Sequence, residues 1–75
     1  MKITFIDRMP YREHAMGWYM WTYPEKPHDY IAWIKANMND PYEVQLRYSS
    51  GAGMVETYIT SEADYVKFKL TWSGE

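Results

Sequence analysis

The chain has 75 residues and a formal net charge of −2, with 47% hydrophobic and 24% charged residues. This length argues against more than one domain, and this balance is typical of a folded chain and not of a disordered one. The basic residues are scattered singly, which argues against the basic patch that non-specific DNA binding requires. We therefore predict a single domain over residues 1–75.

The composition also indicates a compartment. The chain contains no cysteine, whereas small secreted domains usually depend on disulfides. No apolar run approaches the roughly 18 residues of a membrane span. The first seven residues, MKITFID, lack the long apolar stretch of a signal peptide. We therefore expect a cytoplasmic protein that does not interact with a membrane.

Aromatic residues make up 19% of the chain, including four Trp and eight Tyr. Each large ring buries roughly 150–250 Å² when it is enclosed. A core of this size does not need so many rings, so we expect some of them at the surface or in an interface.

Two short strands are predicted at the start of the chain. Residues 2–6 form the first, and residues 7–10 form a turn because Pro10 disfavours a helical conformation in the residue before it. Residues 15–23 are rich in strand formers and are predicted to pair antiparallel with the first strand. Gly17 marks a bulge or a close approach of another backbone. Alternation assigns Tyr19, Trp21 and Tyr23 to one face, and Trp18, Met20 and Thr22 to the other.

A helix is predicted over residues 28–38. Pro27 is tolerated near a helix start, and Asp29 suits the positive end of the helix dipole. Pro41 prevents the helix from continuing. The apolar residues Ile31, Ile34 and Met38 have the i, i+3, i+7 spacing of a buried stripe, flanked by Tyr30 and Trp33.

A hairpin follows. Residues 42–48 alternate between apolar and polar side chains, as a strand does when one face is buried and the other is wet. Residues 49–53 form the turn, with two glycines that can adopt positive φ. Residues 54–60 return, with Val55, Thr57 and Ile59 facing inward.

Residues 61–71 carry two competing patterns. Ser61 followed by Glu62 and Asp64 is typical of a capped helix start. The alternation of apolar and polar residues from Val66 to Trp72 is typical of a strand. We choose the helix, with an apolar stripe formed by Ala63, Val66 and Leu70 and widened by Tyr65 and Phe68.

These elements predict an α+β fold: an antiparallel sheet of about four strands with two helices on one face, in the order ββαββα. If residues 61–71 form a strand instead, the sheet gains a member and the class is unchanged.

The last strand and the capped segment, ITSEADYVKFKLTW at residues 59–72, resemble the tails of small uncharacterised proteins of tailed bacteriophages. In those tails a strand leads into an acidic cap followed by Phe-Lys-Leu-x-Trp. This chain differs in that Ala63 precedes Asp64, the reverse of the usual order. The resemblance implies expression in an infected bacterial cell. It implies no activity, and it supplies no functional residues.

No motif in the sequence specifies a catalytic, metal-binding or nucleotide-binding site. His14 lies beside Glu13 and His28 beside Asp29, pairs that suit general-base or metal chemistry. The histidines lack the spacing of a metal site, and there is no cysteine to join them. The glycine-rich residues 49–53 precede a strand, whereas a phosphate-binding loop precedes a helix. We therefore predict no catalytic residue, no metal ligand and no cofactor, and hence no enzymatic activity.

The aromatic run at residues 18–23 is the candidate functional feature. The rings either fill the core beneath the 28–38 helix, anchor a protein interface, or stack on single-stranded bases. Glu13 and Glu25 offset the nearby basic residues, which disfavours a nucleic-acid partner. We expect a small accessory protein that binds a host or phage protein or a second copy of itself; the alternative is a single-stranded nucleic-acid-binding module. The candidate binding surface consists of Arg12, Trp18, Tyr19, Trp21 and Tyr23.

Overall fold

A computed structural model describes residues 2–12 and 15–72. Within these residues, the elements in chain order are β1 (Ile3–Arg12), β2 (Ala15–Thr22), α1 (Pro27–Asn37), β3 (Tyr42–Ser49), β4 (Ala52–Ile59) and α2 (Glu62–Trp72). The strands of this part of the chain form a four-stranded sheet in the order β1-β2-β4-β3, and all neighbouring strands are antiparallel. The predicted α+β class, with an antiparallel sheet and two helices, is confirmed.

Strand β1 is longer than predicted. The turn predicted over residues 7–10 is wrong, because the strand continues through Pro10. Its pairing with β2 shifts register between Ile6 and Met9 and again between Pro10 and Arg12. β1 lies at an edge of the described sheet, where a residue without an N–H group removes no bond from a second neighbour. Proline therefore interrupts the regularity of this strand without ending it.

One face of the sheet and both helices enclose the core. Phe5, Met20 and Thr57 lie in one row across the paired strands, so their side chains share this face. The buried apolar residues are Met20, Tyr30, Ile34, Val55, Ile59 and Phe68. The prediction that Val55, Thr57 and Ile59 face inward is confirmed, since none is more than 1% exposed.

The turn between β3 and β4 is tighter than predicted. Ser50 and Gly51 have φ angles of 54° and 83°, respectively. Positive φ at both central residues is the type I′ geometry of a two-residue hairpin, which matches the twist of the flanking strands. Gly53 lies inside β4 opposite Tyr48, so only the first of the two glycines serves the turn.

Helix α2 is confirmed, but its predicted apolar stripe is only partly right: Phe68 is buried, whereas Ala63, Val66 and Leu70 are exposed. The Ser61 Oγ accepts a hydrogen bond from the Asp64 N–H at 3.3 Å, as an N-cap does. Asp64 and Phe68 are buried, whereas Leu70 is 80% exposed. Val66, also predicted in the stripe, is 47% exposed, and Ala63 is exposed as well.

The rotation of α2 has two visible causes. The Asp64 carboxylate accepts the N–H groups of Asn39 and Asp40, each at 3.0 Å, in the segment after α1. The ring of Phe68 meets those of Tyr30 and Trp33 edge-on at 6.0 and 6.3 Å. A buried carboxylate must keep its hydrogen bonds, and a large ring gains more from burial than Ala or Val does. The helix therefore turns its aromatic side inward.

Candidate functional site on the open face of the sheet

The second face of the sheet lies opposite the helices. Because successive side chains of a strand point to opposite faces, this second face carries the residues that lie between the core-facing ones along each strand. We call this surface the open face; it comprises Thr4, Ile6, Tyr19, Trp21, Glu43, Gln45, Arg47, Glu56 and Tyr58. Its central row joins Trp21 of β2 to Glu56 of β4 and then to Gln45 of β3.

A groove of about 780 Å³ lies on the open face. Met9 and Pro10 of β1 line one side of it, and Tyr19 of β2 lies between them and the hairpin. The remaining lining residues come from β3 and β4: Tyr42, Glu43, Val44, Gln45, Glu56, Thr57 and Tyr58. A register shift bends a strand and increases its twist. The irregular half of β1 accordingly forms one wall of the groove.

Tyr58 supports that wall. It is 8% exposed although it lies on the open face, because its ring lies over Gly17 of β2. Its hydroxyl donates a hydrogen bond to the Met9 carbonyl of β1. A Cβ at position 17 would also lie 2.7 Å from the Ile59 carbonyl oxygen of β4, which confirms the predicted alternative of a close approach by another backbone. The glycine was visible in the sequence, but the tyrosine that requires it was not.

A polar chain crosses the groove floor. The Tyr19 hydroxyl donates to the Glu56 carboxylate, and Arg47 Nε donates to Glu56 Oε1 at 2.6 Å. Arg47 Nη2 also donates to Gln45 Oε1 at 2.9 Å. The Glu56 charge is thus balanced within the sheet.

The same contacts set the chemistry of Tyr19. The pKa of Tyr19 is raised to about 12, chiefly by burial. The hydrogen bond to Glu56 and the negative charge of Glu56 raise it further, whereas the positive charge of Arg47 lowers it. At neutral pH the hydroxyl is therefore protonated and donates a hydrogen bond. A group with this pKa is poorly matched to general-base work near neutrality. The arrangement suits recognition better than proton transfer.

The structure divides the predicted binding surface. Tyr19 and Trp21 lie on the open face, and the rings of Trp21 and Tyr23 meet edge-on at 6.0 Å. Tyr23 is 50% exposed. Trp18 lies on the other face, where its ring stacks on Tyr65 of α2 at 4.8 Å. Arg12 is the last residue of β1, and its side chain lies outside the described part of the structure.

The structure describes one of the two histidine–carboxylate pairs that suit general-base or metal chemistry. His14 and its neighbour Glu13 lie outside the described residues, and His28 is exposed in α1. Within residues 2–12 and 15–72, no group of three or more His, Asp or Glu side chains is arranged to hold a metal ion. None of the helices described is long and apolar enough to cross a membrane.

Sequence reasoning missed the partners of the aromatic run: Met9, Gln45, Arg47, Glu56 and Tyr58. The alternation of residues 42–48 did place Gln45 and Arg47 on the wet face of their strand. It carried no signal that β4 pairs with β2, which is what brings that hairpin beside the aromatic strand.

Comparison of the chain with protein-family models, with curated proteins and with solved structures finds no match.

Proposed function

We propose that the chain is a small, non-catalytic accessory protein encoded by a bacteriophage, and that it binds a host or phage protein in the bacterial cytoplasm. The observation that carries the protein-binding part of this proposal is the contact between Trp21 and exposed Tyr23 beside the groove, on the face that the helices leave open. Trp and Tyr are the residues most often found at the energetic centre of protein interfaces.

Apolar surface extends from these rings toward β1. Ile6 and Met9 are 39% and 37% exposed, and Ile6 lies opposite Tyr19 on the open face. A partly exposed apolar surface around a concavity is typical of an interaction site. A groove of about 780 Å³ is large enough to receive several side chains of a partner.

The polar residues support a protein partner as well. Glu56 is bonded to both Tyr19 and Arg47, so docking over it would not leave that charge without a partner. Burying an unpaired charge in an interface is costly, whereas burying a bonded one is less so. A partner could therefore exclude water from the groove floor without burying an unpaired Glu56 charge.

Charge disfavours the alternative, a single-stranded nucleic acid stacked on the same rings. Sites of that kind combine aromatic platforms with a positively charged groove for the phosphates. Here Glu43 and Glu56 line the groove, and Arg47 is bonded to one of them. A peptide surface is the better match.

Affinity capture from a lysate of the bacterial host tests the proposal. Trp21→Ala and Tyr23→Ala are expected to lose the captured protein. Leu70→Ala, at an 80% exposed position on α2, is the matched control and is expected to retain it. Circular dichroism establishes that all three variants are folded. A partner captured equally by all of them would contradict the proposal.

A second measurement separates the two partner classes. Titration of fluorescently labelled single-stranded DNA at low salt is expected to show no binding that depends on Trp21. Binding that weakens steeply with salt and is lost in Trp21→Ala would replace the protein partner with a nucleic acid.

A further inference from the structure

Strand β3 forms the second edge of the described sheet, and it differs from β1. Its pairing with β4 runs without a shift from Tyr42 opposite Ile59 to Ser49 opposite Ala52. Its sequence, YEVQLRYS, contains neither proline nor lysine. Bulges, prolines and charged side chains, lysine above all, are the usual features that protect an edge from pairing with another strand. β1 has a proline and register shifts, whereas β3 has neither, and its two charged residues, Glu43 and Arg47, are opposite in sign.

The hydrogen-bond pattern shows which backbone groups face outward. The Thr60 N–H donates to the Pro41 carbonyl at 3.4 Å just before β3 begins. In an antiparallel pair, bonded and non-bonded positions alternate along the strand. Counting in steps of two from Pro41, the bonded positions in β3 are Glu43, Gln45 and Arg47. The N–H and C=O groups of Tyr42, Val44, Leu46 and Tyr48 therefore point away from β4.

We propose that a second copy of this chain pairs with the β3 edge, strand to strand and antiparallel, about a two-fold axis at Gln45. Gln45 then lies opposite Gln45 of the second copy. Three further pairings follow, each made twice by symmetry: Glu43 with Arg47, Val44 with Leu46, and Tyr42 with Tyr48.

Charge complementarity selects this register. Opposite charges across a strand pair stabilise it, and like charges destabilise it. A slide of two residues in either direction separates Glu43 from Arg47 of the second copy. A slide of four residues places Glu43 opposite Glu43, or Arg47 opposite Arg47. Only the register centred on Gln45 makes two opposite-charge pairs.

Arg47 is able to make this additional contact. Its bonds to Glu56 and Gln45 use two nitrogen atoms of a guanidinium that carries five N–H donors. Its side chain is 60% exposed. It can therefore reach across the edge while it remains bonded within its own chain.

The other face of β3 supplies the apolar part of the interface. Val44 and Leu46 are partly buried hydrophobic residues at the rim of the core. Pairing them with each other extends the core across the two-fold axis. Tyr48, which is 68% exposed, gains Tyr42 of the second copy as a neighbour. An edge whose alternate residues are apolar gains burial as well as backbone bonds from a second strand.

This assembly has a consequence for the open face. Pairing about an axis perpendicular to the sheet keeps both open faces on the same side, so the dimer presents two grooves in one continuous sheet. A partner with two binding segments would then be held bivalently. The dimer itself does not depend on that partner or on Trp21.

A charge exchange tests the dimer. Sedimentation equilibrium of the whole chain is expected to show a dimer. Glu43→Arg alone and Arg47→Glu alone each create like-charge pairs and are expected to be monomers. An equimolar mixture of these two variants restores both opposite-charge pairs and is expected to form the heterodimer.

Two results would overturn this interface. One is a wild-type chain that stays monomeric at about 1 mM, because its dissociation constant would then be weaker than that of ordinary specific association. The other is a dimer that persists in both single variants, because it would then use another surface. Nuclear Overhauser contacts in a mixture of labelled and unlabelled chains provide a second check. Contacts between Val44 and Leu46 of different chains are expected. Contacts confined to Trp21 would mean that the interface lies on the open face instead.

Discussion

The backbone of Gly17 lies directly beneath the ring of Tyr58, whose hydroxyl is bonded to the Met9 carbonyl. A Cβ at position 17 would lie 2.7 Å from the Ile59 carbonyl oxygen as well as against the ring. One tyrosine of β4 thus passes over β2 and holds the irregular half of β1. This contact shapes the groove on the open face.

Gly17→Ala is expected to lower the free energy of unfolding by about 1–3 kcal/mol, because the added methyl overlaps backbone that cannot move aside. Urea denaturation followed by circular dichroism measures the change. Gly53→Ala is the control. Its added Cβ would meet only side-chain atoms, the closest at 3.4 Å, and we expect a change within about 0.5 kcal/mol. Equal effects of the two substitutions would contradict the close approach.

Asp64→Ala is expected to lower the free energy of unfolding by about 3 kcal/mol, because it leaves the N–H groups of Asn39 and Asp40 without their acceptor. Asp64→Asn keeps one acceptor oxygen and is expected to cost less. Chemical denaturation ranks the variants. Glu62→Ala, at an exposed position two residues earlier in α2, should change the free energy of unfolding by no more than about 0.5 kcal/mol. If Asp64→Ala were as mild as that control, the carboxylate would not be holding the segment after α1.

The orientation of α2 is tested by two truncations. Phe68→Ala is expected to cost about 3–5 kcal/mol because Phe68 is fully buried. Leu70→Ala is expected to change the free energy of unfolding by no more than about 0.5 kcal/mol, since Leu70 is 80% exposed. Thermal and urea unfolding of both variants give the comparison. The reverse ranking would mean that α2 packs on the sheet through the stripe of Ala63, Val66 and Leu70 that the sequence suggests.

The titration of Tyr19 tests the polar chain on the open face. Its pKa is raised from 10.0 to about 12, first by burial and then by Glu56. Glu56→Gln removes the negative charge and is expected to lower the pKa of Tyr19, which stays above 10 because burial remains. The ¹³C shift of the Tyr19 ring, assigned with Tyr19→Phe, follows the titration. An unchanged pKa would mean that Glu56 does not act on Tyr19.

The same shift has a consequence for stability. A raised pKa means that the folded state favours the neutral hydroxyl more than the unfolded state does. The contribution of Tyr19 is therefore complete below pH 10 and is lost as the pH rises from 10 toward 12. Tyr19→Phe should show a smaller loss of stability than the wild-type chain across that interval.

Local signals in the sequence were sufficient for most element types. The Ser61 cap outweighed the alternation that followed it, and α2 is a helix. Alternation assigned Val55 and Ile59 to the core correctly. Pro10 was misleading, because its effect depends on whether its strand lies at an edge, and that position is a property of the whole sheet.

The candidate site was predictable only in part. Tyr19, Trp21 and Tyr23 were assigned to one face by alternation, and the structure keeps them near one another. Trp18 was grouped with them by proximity in the chain, yet it stacks on Tyr65 in the helix layer. Composition alone does not distinguish a ring that fills the core from one that lies outside it.

The sequence by itself determined the alternation within β2, β3 and β4 and the capped start of α2. These features depend on neighbours within a few positions of the chain. Only the tertiary structure decided that β4 lies beside β2, that α2 turns Phe68 inward, and that Tyr19 meets Glu56. The physical reason is separation: Tyr19 and Glu56 are 37 residues apart, and Met9 and Tyr58 are 49 apart. Such contacts form only when the strands between them have found their places in the sheet.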